Sequence, residues 1–349
     1  MSNQAYIDFL NGNDLFKLGT VSRNYPFTPE EIEQYKEQIN WVLLSSNRKM
    51  KWTAQLIETF AENWDWEVLS YNPALPWSPE LFEKFEDYWN ILSLSENDKV
   101  GWTTELLTKY EEFWVWPALS NNAGLPWSQG IIDLYADKWD FSMISLNPHI
   151  NWTEDLLNKY EAELEWESLA ANPGLPWNDI LIAKYAHKWS WQSLSTNEGL
   201  PWSPEFIHNH SADIDWWFAS GNPGVPWTLD LLKEHRDDIN FFILSGIESL
   251  PFNDAFFAEF GSELNWHADG ISMNTGIDWT PEFVAEYANE LDFETDRGLC
   301  LNQKVCWSLE FIQQYQNWWN WELLMLNRTM WEKTFEPNLS ADFLEKIWG

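Results

Sequence analysis

The chain has 349 residues, 28 of them Trp, and 45% are hydrophobic, which is ample for a packed core and excludes a disordered chain. Its 55 acidic and 20 basic residues give a formal net charge of −35, a field that repels nucleic acid and anionic membranes and attracts cations and basic proteins. Two cysteines make no disulfide framework. The start, Met1-Ser2-Asn3-Gln4-Ala5-Tyr6-Ile7-Asp8, lacks the basic and apolar regions of a signal peptide. No apolar run approaches the roughly 20 residues that cross a bilayer. A cytoplasmic protein is expected.

In chain order, residues 1–26 hold a partial unit whose Val21-Ser22-Arg23-Asn24 echoes an ending found throughout the chain. A marker aromatic followed by Ser, Thr or Asn then recurs every 25 residues, at Phe27, Trp52, Trp77, Trp102, Trp127, Trp152, Trp177, Trp202 and Trp227, giving nine regular repeats over 27–251. Three irregular repeats follow over 252–338, marked by Phe252, Trp279 and Trp307, with added residues near 267–270 and 294–298. Residues 339–349 hold a degraded copy, Leu339-Ser340-Ala341-Asp342-Phe343-Leu344, ending at Trp348. A fixed period of this size is the mark of stacked units that bury their apolar faces against one another. The expected fold is all-α: an elongated α-solenoid of about thirteen 25-residue helix-turn-helix repeats forming one continuous domain. Its end units are expected to cap the array and face water on one side.

Counting the marker as slot 0, slot 1 is a helix-capping residue in every copy, from Thr28 to Ser340, and slot 2 is Pro at Pro29, Pro79, Pro204 and Pro281. Helix A starts there and is expected to run about 11 residues, with apolar slots 4, 5, 8 and 12 on one stripe, as in Leu106, Leu107, Tyr110 and Trp114. A second cap at slot 13 (Asn40, Asp65, Ser190 and others) starts helix B, of about 6 residues. Helix B is expected to end at the slot 20 Asn, as at Asn72 and Asn172, in a left-handed conformation, with the Asn side chains forming a ladder between neighbouring loops. The slot 0, 12 and 14 aromatics are expected in the core, with the slot 20 Asn or loop carbonyls accepting from the indoles.

Little remains that reads as chemistry. Catalytic, cofactor-binding and metal-binding residues are expected to be absent: Cys300 and Cys306 lack a second ligand pair for zinc, and no phosphate loop, nucleophile elbow or zinc-protease helix is present. His210 and His235 share slot 8, where other units carry Tyr or Phe. They are read as packed rings, with a pocket involving Asp213 and Asp215 as the sharper alternative. Trp217 and Trp318 fall outside the periodic slots and are expected to protrude as partner anchors. The irregular repeats add His267 and Asp269 in one insertion and Glu294 and Asp296 in the next, and insertions in solenoids commonly gather on a binding face. The expected function is that of a non-enzymatic acidic scaffold for a protein with a basic surface, with direct nucleic-acid and membrane binding disfavoured. The alternatives are a DNA-mimicking inhibitor of a nucleic-acid-binding or defence protein, and an enzyme with its site in the irregular repeats.

Overall fold

Each helix A begins where its cap residue dictates. In the computed structural model, which describes residues 3–349, the side chain at slot 1 accepts a backbone N–H from the first helical turn in twelve repeats, from Thr28 to Ser308. At Thr28 the bond is returned by Glu31, closing a capping box. Ser340 departs from the pattern. Its hydroxyl donates to Asp342, and the last helix, Phe343–Trp348, starts without a side-chain cap.

All regular structure among the described residues is helical, so the repeat class read from the sequence holds. The helices are shorter than expected. Helix A covers six or seven residues rather than about 11, as in Ala54–Thr59, Thr104–Lys109 and Leu309–Gln314. The stop does not depend on the residue at slot 12, since repeats with Leu164, Ile214 or Ile239 there have helices of the same length, but a tryptophan at that slot helps to close the end. Its indole N–H turns back onto the slot 5 carbonyl, Trp64 to Ile57 at 2.9 Å, Trp114 to Leu107 at 3.2 Å and Trp319 to Ile312 at 3.0 Å. It thereby satisfies one of the carbonyls orphaned at the helix end, while the backbone between tightens into turns. Helix B covers four to six residues and is capped at slot 13 by Asn40, Asp65, Asp140, Asp215 and Asn320, among others, whereas Ser190 makes no capping bond.

The Asn ladder is present, in a different conformation from the one expected. The slot 20 residues that end helix B, such as Asn72, Asn147 and Asn172, are extended, with φ near −80°, and Asp269 is the one non-glycine residue with positive φ among those described. The side chain closes the helix in place of a left-handed turn. Asn172 Nδ2 donates to the carbonyls of Ser145 (2.8 Å) and Asn147 (3.1 Å) in the preceding repeat, and its Oδ1 accepts the N–H of Gly174 at 2.8 Å. The carbonyl of the same residue accepts the next slot 0 indole, Trp177 Nε1, at 2.7 Å. A second row escaped the sequence reading. In most repeats a buried Ser two residues before the ladder Asn accepts the slot 13 N–H of the following repeat, as in Ser45 from Asp65 (3.0 Å) and Ser145 from Glu165 (3.0 Å), whereas Ala170 and Met325 interrupt the row. Cys300 occupies the corresponding place before Asn302 and donates to the Phe293 carbonyl at 3.0 Å.

The chain divides into two compact units, Met1–Pro76 with Glu263–Gly349, and Trp77–Ser262. The second holds seven regular repeats and the start of the first irregular one. The first contains both chain ends, and they pack against each other instead of facing water as end caps. Helices Asn3–Asn11 and Asp14–Asn24 lie on Trp321–Leu324, Arg328–Thr334 and Phe343–Trp348. Phe16 meets Trp321 with ring centres 5.3 Å apart, Tyr25 stacks on Phe343 at 5.6 Å, and Trp348 stacks on Phe27 at 5.8 Å. Lys17 Nζ donates to the Ile347 carbonyl at 3.3 Å. These aromatics leave water in contact with one another, which offsets the exposure that terminal repeats otherwise suffer. Residues 1 and 2 of the first partial repeat lie outside the described residues.

Candidate functional site

Helix B buries slot 17 and turns slot 15 outward, while slots 14 and 16 are half-buried in most repeats, so of the helix B slot 14 aromatics expected in the core only Trp216 and Phe241 are buried. Several repeats carry only small or polar residues at slots 15 and 16, as in Glu167-Ser168 and Gln192-Ser193, and others carry an apolar one, as in Val42 and Leu92. In two consecutive repeats of the second unit these slots carry Trp217 and Phe218, then Phe242 and Ile243, all exposed, with Trp217 at 55% and Phe242 at 63%. Helix B is only four residues long in both, Trp216–Ala219 and Phe241–Leu244. The turns leading into them carry exposed Asp213, Asp237 and Asp238. Asp215 does not join a pocket: its carboxylate caps the helix by accepting from Phe218 N–H. Trp217 thus protrudes as its place outside the period implies. Phe218, Phe242 and Ile243 were missed, because slots 15 and 16 carry no fixed residue type that would make an apolar one stand out.

The histidines read as packed rings are packed. His235 stacks on Trp216 with ring centres 3.8 Å apart, and His210 sits between Trp191 (5.0 Å) and Phe206 (4.5 Å), each filling the place of the usual slot 8 Tyr or Phe. The closest histidine–carboxylate approach among the described residues is His210 Nδ1 to Asp213 at 3.7 Å, too long for a hydrogen bond. His235 also lines a cavity of about 490 Å³ with His208, Asp230 and Glu234.

In the first unit the insertions of the irregular repeats meet. His267, Glu294 and Trp318 line one cavity of about 430 Å³ with Asp292 and Asn317. Asp269, at φ 61°, ties its insertion to the next by an ion pair with Arg297 at 2.6 Å and a backbone bond to the Arg297 carbonyl at 3.2 Å. Asp296 is exposed and lines none of these cavities. The structure therefore joins His267, Glu294 and Trp318, and sets Trp217, His210 and His235 in the other unit. Burial would raise the Asp292 carboxyl, but hydrogen bonds from the Thr295 hydroxyl and the N–H groups of Thr295 and Glu294 outweigh it and hold the carboxyl below the usual range. Burial pushes the Cys300 thiol up to about 12, which leaves it protonated and poorly nucleophilic.

Among the described residues no group of three or more His, Cys, Asp or Glu is placed to hold a metal ion, and no helix is long and apolar enough to cross a membrane. No protein-family model matches the chain, and no curated protein or solved structure is similar to it.

Proposed function

We propose that this is a non-enzymatic acidic scaffold of a reducing, cytoplasmic setting that holds a partner protein with a basic surface. The observation that carries the reading is the apolar patch of Trp217, Phe218, Phe242 and Ile243, exposed on adjacent repeats beside uncompensated carboxylates. Exposed aromatics grouped in this way mark interaction surfaces, and a buried Trp anchor supplies much of an interface's energy. The charge supports the same partner. Much of the basic side-chain complement is engaged within the chain, in pairs between successive repeats such as Lys109–Glu83, Lys159–Asp133, Lys184–Glu154 and Lys188–Glu161. Even if every Lys and Arg were paired, 35 carboxylates would remain without a cation. Such a field steers a basic partner inward and is screened by salt.

The test is affinity capture from an extract of cells that express the protein, using the wild-type chain and the Trp217→Ala/Phe242→Ala double variant. Captured proteins should be more basic than the extract as a whole, should elute as salt is raised, and should be largely lost with the variant. Capture that is indifferent to salt, or equal for both chains, removes the proposal.

A further inference from the structure

Where the chain ends meet, the charge inverts locally. Arg23, Arg48, Lys49 and Arg328, with Ser46 and Gln303, line a cavity of about 270 Å³ in the first unit. These are three of the five arginines in a chain of net charge −35. Their placement is not a product of the repeat. Arg23 precedes the ladder Asn24, Arg48 follows Asn47 and Arg328 follows Asn327, and no residue flanking that slot is basic anywhere else in the chain. These flanking basic residues occur only in the first partial repeat, the first regular repeat and the last irregular repeat, which the packing of the ends brings together.

The charges here are only partly balanced. Lys49 pairs with Glu332 (2.7 Å) and Glu336 (3.1 Å), and Arg328 pairs with Glu332 (2.8 Å), so two carboxylates offset two cations. Arg23 donates to the Ser46 hydroxyl at 3.1 Å. Among the described residues neither Arg23 nor Arg48 has a carboxylate within ion-pairing distance. Two guanidinium charges are thus left over around one cavity. Burial, and after it the charge of Arg48, lowers the Arg23 pKa, the mark of a cation crowded by a like charge without an anion to relieve it.

We infer that this cavity is a binding site for a phosphate group, free or carried by a small molecule. The guanidinium fork matches a phosphate oxyanion in two parallel hydrogen bonds, and a dianion balances the two leftover charges where a carboxylate would balance one. The volume lies at the lower end of small-ligand pockets, which suits a phosphate or a compact phosphate monoester and leaves no room for a nucleotide-sized group. Because the walls come from both ends of the chain, the ligand also bridges them and stabilises their packing by mass action.

Isothermal titration of the full chain in a phosphate- and sulfate-free buffer tests this, with inorganic phosphate, glycerol phosphate and acetate as separate probes. Saturable binding of at least one phosphate probe is expected, with acetate at least tenfold weaker and the thermal midpoint rising with phosphate. Stronger binding of glycerol phosphate than of inorganic phosphate would identify the ligand as an ester, and the reverse as the free ion. Arg48→Gln, at an exposed position that tolerates the change, should weaken binding at least tenfold, and Arg48→Lys should fall between because it keeps the charge and loses the fork. Lys184→Gln, in the other unit, should leave binding unchanged. The inference is overturned if phosphate shows no saturable binding up to about 10 mM, if acetate binds equally well, if Arg48→Gln binds as the wild type does, or if Lys184→Gln weakens binding as much as Arg48→Gln.

Discussion

A single asparagine side chain does several jobs in each rung of the ladder. Asn172 ties its repeat to the previous one through two donated bonds, braces its own loop through one accepted bond, and offers its carbonyl to Trp177. It is buried, so removing the amide strands the Ser145 carbonyl and the Gly174 N–H in a dry place and leaves the Asn147 carbonyl with only the Trp152 indole. Asn172→Ala should cost about 2–4 kcal/mol, since each stranded group costs about 1–3 kcal/mol before relaxation. Ser128→Ala, which removes only the bond its side chain accepts from Ile131 N–H, should cost about 1 kcal/mol. Urea unfolding of the two variants gives the comparison, and a larger loss for Ser128→Ala would contradict the ladder's role. The ladder was legible because a side chain that bonds backbone in every repeat must recur in register. The conformation behind it was not, because Asn serves equally as a left-handed cap or as an extended residue bonding sideways. The Ser row went unread for a related reason. A Ser near the end of a short helix looks like filler until the N–H of the next repeat is seen to point at it.

At the level of elements, the regular repeats were read correctly in order and misjudged in length. The periodic stripe through slot 12 suggested one continuous helix, yet Trp64 and Trp114 sit on the stripe by folding back onto it. Hydrophobic spacing records which residues face the core and cannot tell a helical turn from a tight turn that returns to the same face. In the first two irregular repeats the second helix gives way to loops ending in short 3₁₀ turns, Ile271–Met273 and Leu299–Leu301. Asp292 organises the second of these loops: its N–H donates to Ser272 at 2.8 Å, its carbonyl accepts from Leu299 at 2.7 Å, and its carboxylate gathers Glu294 and Thr295. Its pKa is lower folded than unfolded, so its contribution is complete above the ordinary Asp value of about 3.9 and lost as pH falls through the folded value. Amide exchange over residues 293–299, corrected for intrinsic rates, should therefore show protection at pH 6 that drops below pH 4. Asp292→Asn should be less protected at both. Equal protection of the wild type at the two pH values would refute the assignment.

For the whole molecule, the lesson concerns what a period leaves out. Trp217 and Trp318 were visible because they broke the pattern, and His267 and Glu294 because insertions drew attention to their repeats. The meeting of the chain ends left no periodic trace. It rests on Phe16, Tyr25 and Phe27 at one end and on Phe335, Phe343 and Trp348 at the other, residues separated by more than 300 positions. The only hint was their number, since terminal caps that face water have no use for so many aromatic rings. That contact also loosens the tie between gene order and fold. With Asn11 and Lys17 bonded to the carbonyls of Lys346 and Ile347, the two ends can be joined by a glycine linker long enough to run the length of the helix Asn3–Asn11, and the chain reopened elsewhere. Gly101, exposed at φ 77° with open space around it, is a suitable new opening. Such a circular permutant should keep the helical circular dichroism of the parent and melt within a few degrees of it, whereas deleting 335–349 should melt far lower. A permutant that fails to fold would mean that the first repeats must form before the last ones arrive. If it folds, the order in which the repeats follow one another along the chain is no part of the architecture.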